Sequence, residues 1–296
     1  MIEVRNVSKT YPTGIQANHE ISFCVNAGEV VALVGPNGSG KTTLFQQILG
    51  VIKLGSGAVL VDGKENNTSS IAYVPQFPAI YPSLTVAETL NATAMYLGMP
   101  KKIAKEKIDA VLTRAKLLRI AKQPCYTLSG GQRKLLSFAC ILVQDAPNLV
   151  MDEVTSMVDA VTKELIWTLI AEEQQKGKAI LLSSHDLWEV KKLSTKVIVL
   201  QKGRVIFADS PARISEKFCH CELDVPDAVI AESLAQHADW NATAAKGKIS
   251  IVTNEVRPVL DMIGTLTDRG ELNGFSCEYP AIYEGILRMM KEKTEG

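Results

Sequence analysis

Residues 35–42, GPNGSGKT, contain the residue types that bind a nucleotide phosphate. They fit the pattern G-x-x-x-x-G-K-[ST], between an apolar run and a helix-like segment. Glycines let backbone N–H groups converge on phosphate oxygens, and a helix that begins there presents its positive end to the same anion. We expect Lys41 to reach the β- and γ-phosphates and the Thr42 hydroxyl to ligate Mg²⁺. The predicted phosphate-binding residues are Gly35, Pro36, Asn37, Gly38, Ser39, Gly40, Lys41, Thr42 and Thr43. The alternative, an ordinary glycine turn, does not account for the flanking segments.

Two further apolar runs end in polar residues that suit phosphate chemistry. APNLVMDE (146–153) predicts a buried strand that delivers Asp152 to Mg²⁺. Glu153 comes next and is expected to point elsewhere, because successive strand side chains alternate, and it suits a general base for water. ILLSSHD (180–186) places His185 at the carboxyl edge of a parallel sheet, where it could touch the γ-phosphate. The alternatives are solvated carboxylates and a structural histidine.

The stretch YTLSGGQRK (126–134) puts paired glycines where a helix begins. Each glycine weakens a helix by roughly 1 kcal/mol relative to alanine, so a compensating function is expected. Close backbone approach to an anion at a helix N-terminus is one such function. A helix N-cap by Ser129 followed by a flexible turn is the alternative, and the two are compatible.

The phosphate loop, LSGGQ, the Asp-Glu pair and the late histidine occur in this order, and the chain therefore resembles the ATP-binding cassette (ABC) ATPases over about residues 1–215. The resemblance implies that two cassettes pair head to tail and that each ATP lies between the phosphate loop of one and residues Leu128–Gln132 of the other. The residues of the second cassette that cap the γ-phosphate would be Ser129, Gly130, Gly131 and Gln132.

The resemblance assigns three more positions. Tyr11 would stack on adenine, Gln76 in IAYVPQ would contact Mg²⁺ and the attacking water, and Asp159 would lie in the loop that crosses the dimer interface. The segment after Gln76 would face the membrane subunit. The predicted catalytic residues are then Lys41, Gln76, Glu153 and His185, and the predicted Mg²⁺ ligands are Thr42, Gln76 and Asp152.

The chain departs from the family in DEVTSMVDA, where Val154, Met157 and Val158 replace the usual Pro, Gly and Leu. This change puts coupling between the two ATP sites in doubt but not nucleotide binding. Because all the residues expected to do chemistry are present, we expect an active ATPase with ATP and Mg²⁺ as its cofactors.

The resemblance implies an α/β fold of the P-loop NTPase class, with a RecA-like core, an antiparallel β subdomain and a helical subdomain. The cassette is predicted over residues 1–215, with the helical part over about 76–145, where Ile108, Val111, Leu112 and Ala115 recur at helical spacing. VIVLQKGRVIFADSP predicts a hairpin turned at Lys202-Gly203 and then a helix with Pro211 at its first position.

Residues 216–296 are predicted to form a small α+β accessory domain. Helices are expected over 226–238, 255–270 and 281–293, with extended segments at 247–254 and 271–280. YPAIYEGILRMM resembles the C-terminal extension of exporter ATPase subunits; a generic dimerisation or packing domain is the alternative. Cys219-His220-Cys221 lacks the ligands of a structural zinc site, so no such metal is expected.

Composition sets the remaining limits. The 296 residues are 46% apolar with equal numbers of basic and acidic residues, so a packed core is expected and a nucleic-acid partner is not. No apolar run is long enough to span a membrane, and no secretory signal is visible. Six scattered cysteines are interpreted as reduced, buried thiols of a cytosolic chain.

We therefore expect an ATPase subunit that lies in the cytoplasm, peripheral on the inner face of the cell membrane. It is expected to energise a separate polytopic membrane permease of an exporter for drugs, polysaccharides or antimicrobial peptides. Its other partner would be a second ATPase subunit, either an identical chain or a sister cassette. The alternatives are a soluble single-cassette ATPase acting on a ribosome or a regulatory partner, and a cassette that binds ATP but hydrolyses little. The cargo is not determined by this sequence.

Overall fold

A computed structural model describes residues 1–65, 67–216, 219–227, 229–230, 234, 241–245, 248–253 and 256–278. The chain divides into two units, Met1–Ala208 and Asp209–Gly296. The assignment of residues 1–215 to a cassette and 216–296 to an accessory domain stays a prediction. In the described part of the chain, we find no helix with the length and apolar character needed to cross a bilayer.

The first unit begins with an antiparallel sheet. Its strands are β1 (Ile2–Thr10), β2 (Gln16–Val25), β4 (Ser56–Val61) and β5 (Lys64–Glu65). They lie in the order β2-β1-β4-β5. The buried side chains of β1 alternate near its start, at Ile2 and Val4, as expected of strands with one buried face. The predicted antiparallel β subdomain is therefore present.

A second sheet positions the residues that the sequence predicts to do chemistry. Its strands are β3 (Val30–Val34), β6 (Ile71–Val74), β7 (Asn148–Asp152), β8 (Ala179–Ser183), β9 (Lys196–Gln201) and β10 (Arg204–Asp209). Their order is β10-β9-β3-β8-β7-β6, and the pairs from β9 to β6 are parallel. Strands β3, β7 and β8 are buried throughout, as in parallel sheets covered on both faces. Because parallel strands share one carboxyl edge, the residues that follow β3, β7 and β8 meet there.

Helices flank and connect these strands. They are α1 (Lys41–Ile48), α2 (Val86–Tyr96), α3 (Lys101–Arg114), α4 (Gly130–Gln144), α5 (Ala160–Gln175) and α6 (Leu187–Leu193). A further helix, α7 (Pro211–Glu216), belongs to the second unit. Helices α2, α3 and α4 pack against one another within the segment predicted to be helical. The predicted core positions from Ile108 to Ala115 are at most 4% exposed. The predicted hairpin is confirmed, with Lys202 and Gly203 both at positive φ, and the helix that begins at Pro211 is confirmed as α7.

A buried ion network fastens α3 to α5. Glu173 is 1% exposed and pairs with Arg114 at 2.8 Å, Lys176 at 2.7 Å and Lys178 at 2.6 Å. Burial raises the pKa of Glu173, but hydrogen bonds from the three cations outweigh it and lower the pKa to about 2. The carboxylate therefore stays charged inside the protein.

Replacing Glu173 by Gln is expected to change the acid stability of the fold. Because the folded pKa of about 2 lies below the ordinary 4.5, the wild type has this stabilisation above about pH 4.5 and loses it as the pH falls towards 2. Glu173→Gln cannot titrate, so its free energy of unfolding should be lower at neutral pH and flatter across this window. Urea unfolding from about pH 7 to pH 3 measures both. Glu172→Gln, which removes an exposed partner of Arg114, is the control. Parallel curves for Glu173→Gln and the wild type would contradict the assignment.

The second unit is an α+β arrangement. Strands β11 (Cys219–Asp224), β12 (Asn241–Ala245), β13 (Lys248–Thr253) and β14 (Gly274–Glu278) pair antiparallel in the order β12-β13-β11-β14. Helix α8 (Val256–Asp268) packs Val259 and Ile263 on Leu223, Ile249 and Ile251. The helix and strands expected between residues 247 and 280 are therefore present. The helix expected at 281–293 and most of that at 226–238 lie outside the described residues.

The interpretation of all six cysteines as reduced thiols is wrong for Cys221 and for the cysteine bonded to it. Cys24, Cys125 and Cys140 are free, but Cys221 is disulfide-bonded. The strand register places the backbone of Cys277 opposite that of Cys221. Opposed residues of antiparallel strands have Cα atoms within the range that a disulfide spans. The sequence could not show this register.

Candidate active site

The phosphate loop connects β3 to α1 and contains two positions at which only a glycine fits. A Cβ on Gly35 would lie 2.2 Å from the carbonyl oxygen of Leu200, and one on Gly40 would lie 2.2 Å from that of Ala17. Gly40 is also the N-cap of α1, with φ +103°, so no side chain caps the first N–H groups of this helix. The loop is thus held close against its neighbours while the helix end is left for an anion.

Two buried side chains, one in the loop and one on the neighbouring strand β2, each have a polar atom without a hydrogen-bond partner. Ser39 is 2% exposed, and its Oγ is buried without a hydrogen-bond partner. Asn18 on β2 is fully buried, donates from Nδ2 to the carbonyl of Gly40 at 3.2 Å and leaves its Oδ1 without a partner. A buried hydroxyl without a partner costs free energy unless a ligand or water satisfies it. The loop therefore suits phosphate oxygens.

Lys41 lies across the loop. It is 7% exposed and donates from Nζ to the carbonyls of Gly35 at 2.7 Å and Pro36 at 3.1 Å. Burial lowers the pKa of Lys41, and the charges of Glu153 and Asp152 partly offset this. An ammonium that is poorly solvated and faces weak acceptors is well placed to move onto a phosphate.

Tyr11, which was expected to stack on adenine, lies beside α1. Its hydroxyl is 3.3 Å from the Thr43 Oγ1, and the Lys9 ammonium is 5.8 Å from its ring centroid. The structure thus brings the aromatic ring to the end of the phosphate loop.

The two carboxylates after β7 occupy different environments. Asp152 ends the strand, is 5% exposed and accepts a hydrogen bond from Ser183 Oγ. Burial raises the pKa of Asp152, the Ser183 hydrogen bond opposes this, and the charge of Glu153 adds to it. Glu153 turns away with φ +47° and donates its N–H to the Ser183 carbonyl at 3.2 Å. The two side chains have different partners, but β7 ends at Asp152 and Glu153 adopts a left-handed conformation, so alternation within a strand does not apply to Glu153.

Two other predicted residues, Gln76 and His185, meet at the Glu153 carboxylate. Its Oε2 accepts from Gln76 Nε2 at 2.8 Å, and its Oε1 lies 2.6 Å from His185 Nε2. The His185 side chain is 48% exposed, and that of Glu153 is 15% exposed. A hydrogen bond between them requires the proton on Nε2 of His185. Residues from three distant parts of the chain thus form one cluster, which we call the Glu153 cluster.

The three side chains expected to hold Mg²⁺ are of the chemical type that this ion prefers. A hydroxyl, a buried carboxylate and a side-chain amide are hard oxygen donors of the kind that Mg²⁺ prefers, supplied here by Thr42, Asp152 and Gln76. Because Gln76 donates from its amide nitrogen to Glu153, the carbonyl oxygen of the Gln76 side chain remains available to a cation. A cation would also relieve the cost of the buried Asp152 carboxylate, which raises its pKa.

Lys134 supports the Glu153 cluster and was not predicted. It lies on α4, is 7% exposed, and donates from Nζ to the Glu153 carbonyl at 2.8 Å and to Ser156 Oγ at 3.3 Å. Burial lowers its pKa, against the opposing effect of Glu153. A signal existed in the sequence, because Lys134 shares the apolar face of α4 with Phe138 and Ile141 at helical spacing.

The LSGGQ segment begins α4 with a capping box. Ser129 Oγ accepts from the Gln132 N–H at 3.2 Å, and Gln132 Oε1 accepts from the Ser129 N–H at 2.9 Å. A Cβ on Gly131 would lie 3.2 Å from Asp159 Oδ2, whereas one on Gly130 would meet open space. Asp159 itself caps α5 by accepting from the Thr162 N–H at 3.0 Å. The N-cap that the sequence suggested for Ser129 is present.

The same segment lies apart from the phosphate loop of its own chain. Across the part of the chain that is described, no hydrogen bond or ion pair joins residues 128–132 to residues 35–43. Gly130 of this segment instead lines a cleft of about 600 Å³. The cleft is lined in part by Gln76, Phe77, Gly130, Lys134, Glu153 and Met157.

Two of the residues that depart from the family pattern after Glu153 lie in different environments. Val154 is 2% exposed, whereas Met157 is 97% exposed with φ +57°. A side chain in this region costs roughly 1 kcal/mol or more relative to the glycine expected there. The loop before Asp159 therefore carries backbone strain at Met157 that a glycine would not have.

Known proteins are similar to this chain in sequence and in fold. The family profile described as "ABC transporter" matches residues 18–156. The "Nod factor export ATP-binding protein I" of Burkholderia orbicola (strain AU 1054) is 32% identical over 228 residues, which cover 75% of each chain. The chain belongs to the ABC transporter family.

Other relatives agree with this assignment. The "SkfA peptide export ATP-binding protein SkfE" of Bacillus subtilis (strain 168) is 33% identical over 210 residues, covering 70% of this chain and 87% of that protein. A dimeric ATP-binding cassette in a post-hydrolysis state, bound to ADP and Pi, has a TM-score of 0.65 and 26% identity over 71% of this ABC protein and 98% of that chain. The predicted P-loop NTPase fold is confirmed, and this ABC protein is an ATP-binding, ATP-hydrolysing subunit.

Proposed function

We propose that this ABC protein hydrolyses ATP with the Glu153 cluster and so drives export through a separate membrane-spanning subunit. The observation that supports this most directly is the convergence of Gln76 and His185 on the Glu153 carboxylate. A carboxylate held from two sides can orient a water and accept its proton. Lys41 then stabilises the charge that develops on the γ-phosphate, and His185 does so once its Nε2–H turns from Glu153 to the phosphate.

Mg²⁺ is proposed as the cofactor, held by Thr42, Asp152 and Gln76. When bound, it would neutralise charge on the β- and γ-phosphates. The chain's own residues do the rest: the phosphate loop binds the phosphates, Tyr11 packs on the adenine, and Gln76 orients the water beside Glu153.

A second cassette completes the site in this proposal. The Ser129–Gln132 segment has an uncovered glycine, lies at a helix N-terminus and makes no polar contact with its own phosphate loop. It is thus free to cap the γ-phosphate on another chain, with Asp159 beside it. Whether that chain is identical or a sister cassette is decided by whether the purified protein alone hydrolyses ATP.

Ser129→Ala separates the capping role of this serine from its role toward ATP. Loss of the N-cap should lower the free energy of unfolding by about 1 kcal/mol. The capping box of α2, formed by Thr85 and Glu88, is the same motif away from the LSGGQ segment, so Thr85→Ala is the matched control. Both variants should lose similar stability, but only Ser129→Ala should lose turnover, by about tenfold. Equal turnover in the two variants would reduce Ser129 to a helix cap.

The membrane partner is proposed from the relatives. The two described above are export ATP-binding proteins by name, for Nod factor and SkfA peptide. We infer that this chain belongs to an exporter and lies peripheral on the inner face of the membrane. The test is to purify the tagged protein from detergent-solubilised membranes. A co-purifying polytopic protein supports the proposal, whereas ribosomal or other soluble partners alone would overturn the transport part and leave the ATPase chemistry standing.

A further inference from the structure

We propose that Glu189 is a positioning residue for ATP hydrolysis, which holds the segments carrying Glu153 and His185 in a fixed relation. The inference rests on the proposed roles of those two residues. Glu189 itself touches neither ATP nor water in this proposal; it acts through the backbone segments that it joins.

Glu189 is a buried carboxylate with three donors. It lies on α6 and is 1% exposed. Its Oε1 accepts from Thr155 Oγ1 and from Trp167 Nε1, both at 2.8 Å, and its Oε2 accepts from Ser184 Oγ. A carboxylate is tolerated in the interior only when hydrogen bonds replace its water, and these three uncharged donors do so.

The donors come from three segments that each carry a residue of the proposed site. Thr155 is two residues after Glu153, and Ser184 directly precedes His185. Trp167 lies on α5, whose N-cap is Asp159. One carboxylate therefore links the segment after β7, the segment after β8 and the helix that follows Asp159.

The helix that carries Glu189 is itself anchored. Asp186 accepts from the N–H groups of Trp188 at 2.8 Å and Glu189 at 3.3 Å, and it pairs with Lys163 of α5. Ser184 Oγ also accepts from the Asp186 N–H at 3.0 Å. A shift of Glu189 would therefore disturb hydrogen bonds made by the residues on both sides of His185. Since misplacement of a reacting group by about 1 Å costs on the order of 10²-fold in rate, weakening this link should slow hydrolysis.

Glu189→Gln tests the link while keeping the shape of the side chain. An amide has one acceptor oxygen where the carboxylate has two, so the Ser184 or the Thr155 and Trp167 hydrogen bonds must rearrange. We expect turnover to fall about tenfold while the dissociation constant for ATP changes less than twofold, because the phosphate loop is untouched. Glu173→Gln is the matched control, since Glu173 is also 1% exposed but lies in the ion network of α3 and α5. It should lose stability and keep turnover.

The donor side gives an independent test that needs no substitution of the carboxylate. Thr155→Val removes the hydroxyl at nearly constant volume and should lower turnover severalfold, whereas Thr155→Ser should restore it. A general loss of packing would not be rescued by the smaller serine. The double variant of Thr155→Val with Glu189→Gln should be little slower than Glu189→Gln alone, because both break one link.

Glu153→Gln is assayed in parallel to separate two failures. If Glu153→Gln abolishes turnover but Glu189→Gln and Thr155→Val do not slow it, the positioning role is wrong and the proposed function stands. An equal loss of ATP affinity and turnover in Glu189→Gln would also overturn the positioning role. If Glu153→Gln turns over normally, the proposed function fails, and the inference fails with it.

Discussion

Glu153→Gln is expected to lower ATP turnover by at least about 100-fold while leaving ATP binding intact. An amide fills the volume of the carboxylate and can keep a hydrogen bond to Gln76, but it cannot accept a proton from water. ATP should then remain bound between two cassettes, and the variant should accumulate as a dimer. Steady-state phosphate release and equilibrium nucleotide binding measure the first two effects, and gel filtration with ATP measures the third.

The control for Glu153→Gln is Glu106→Gln, an exposed carboxylate on α3 far from β7 in sequence. It should match the wild type in all three measurements. Only monomer in the presence of ATP would contradict the shared site. Residual turnover near the wild-type rate would remove Glu153 from the chemistry and would point to a water activated without a protein base.

Lys41→Ala is expected to weaken ATP binding by about 10- to 100-fold. Charge-assisted hydrogen bonds contribute about 1.5–3 kcal/mol each, and alanine leaves the phosphates without this cation. Stability should respond differently. Because burial lowers the pKa of Lys41, its ammonium is a cost to the nucleotide-free fold, and its removal should change the free energy of unfolding by less than about 1 kcal/mol.

Lys178→Ala is the matched control for Lys41→Ala, because Lys178 is also a buried lysine. Its side chain is 8% exposed and pairs with Asp145 and Glu173, both at 2.6 Å. Breaking buried ion pairs leaves partners unsatisfied, so Lys178→Ala should lose stability and keep ATP affinity. Nucleotide titration and urea unfolding of the two variants should therefore give opposite patterns. Unchanged ATP affinity in Lys41→Ala would reject the phosphate-loop assignment.

The fold could be predicted from the sequence because the patterns that predict each helix or strand are local. The buried runs of β3, β7 and β8 and the glycine pattern before Lys41 each predict one element without knowledge of the others. The sheet rule then brings the ends of these strands together, which is why Asp152 and His185 could be placed near the phosphate loop. Gln76 and Asp159 came instead from resemblance to a family.

The supporting residues could not be reached in this way. Lys134, Glu189 and Asn18 act through side chains that meet only once helix rotations and strand registers are known. The alternation argument for Glu153 assumed that β7 continues past Asp152, whereas the chain turns to φ +47° there. The disulfide of Cys221 depends on the register of the second unit's sheet, which composition does not encode.

The strand order of the central sheet has a consequence for synthesis on the ribosome. Strand β3, which presents the phosphate loop, has β8 and β9 as its two neighbours, and these are made about 150 residues later. Gly35 rests on the carbonyl of Leu200, so the loop lacks part of its support until that residue has emerged. Such non-local pairing slows folding, because long segments must be closed before contacts form. The nascent chain should therefore gain ATP affinity late and in a single step, after almost the whole first unit has left the exit tunnel.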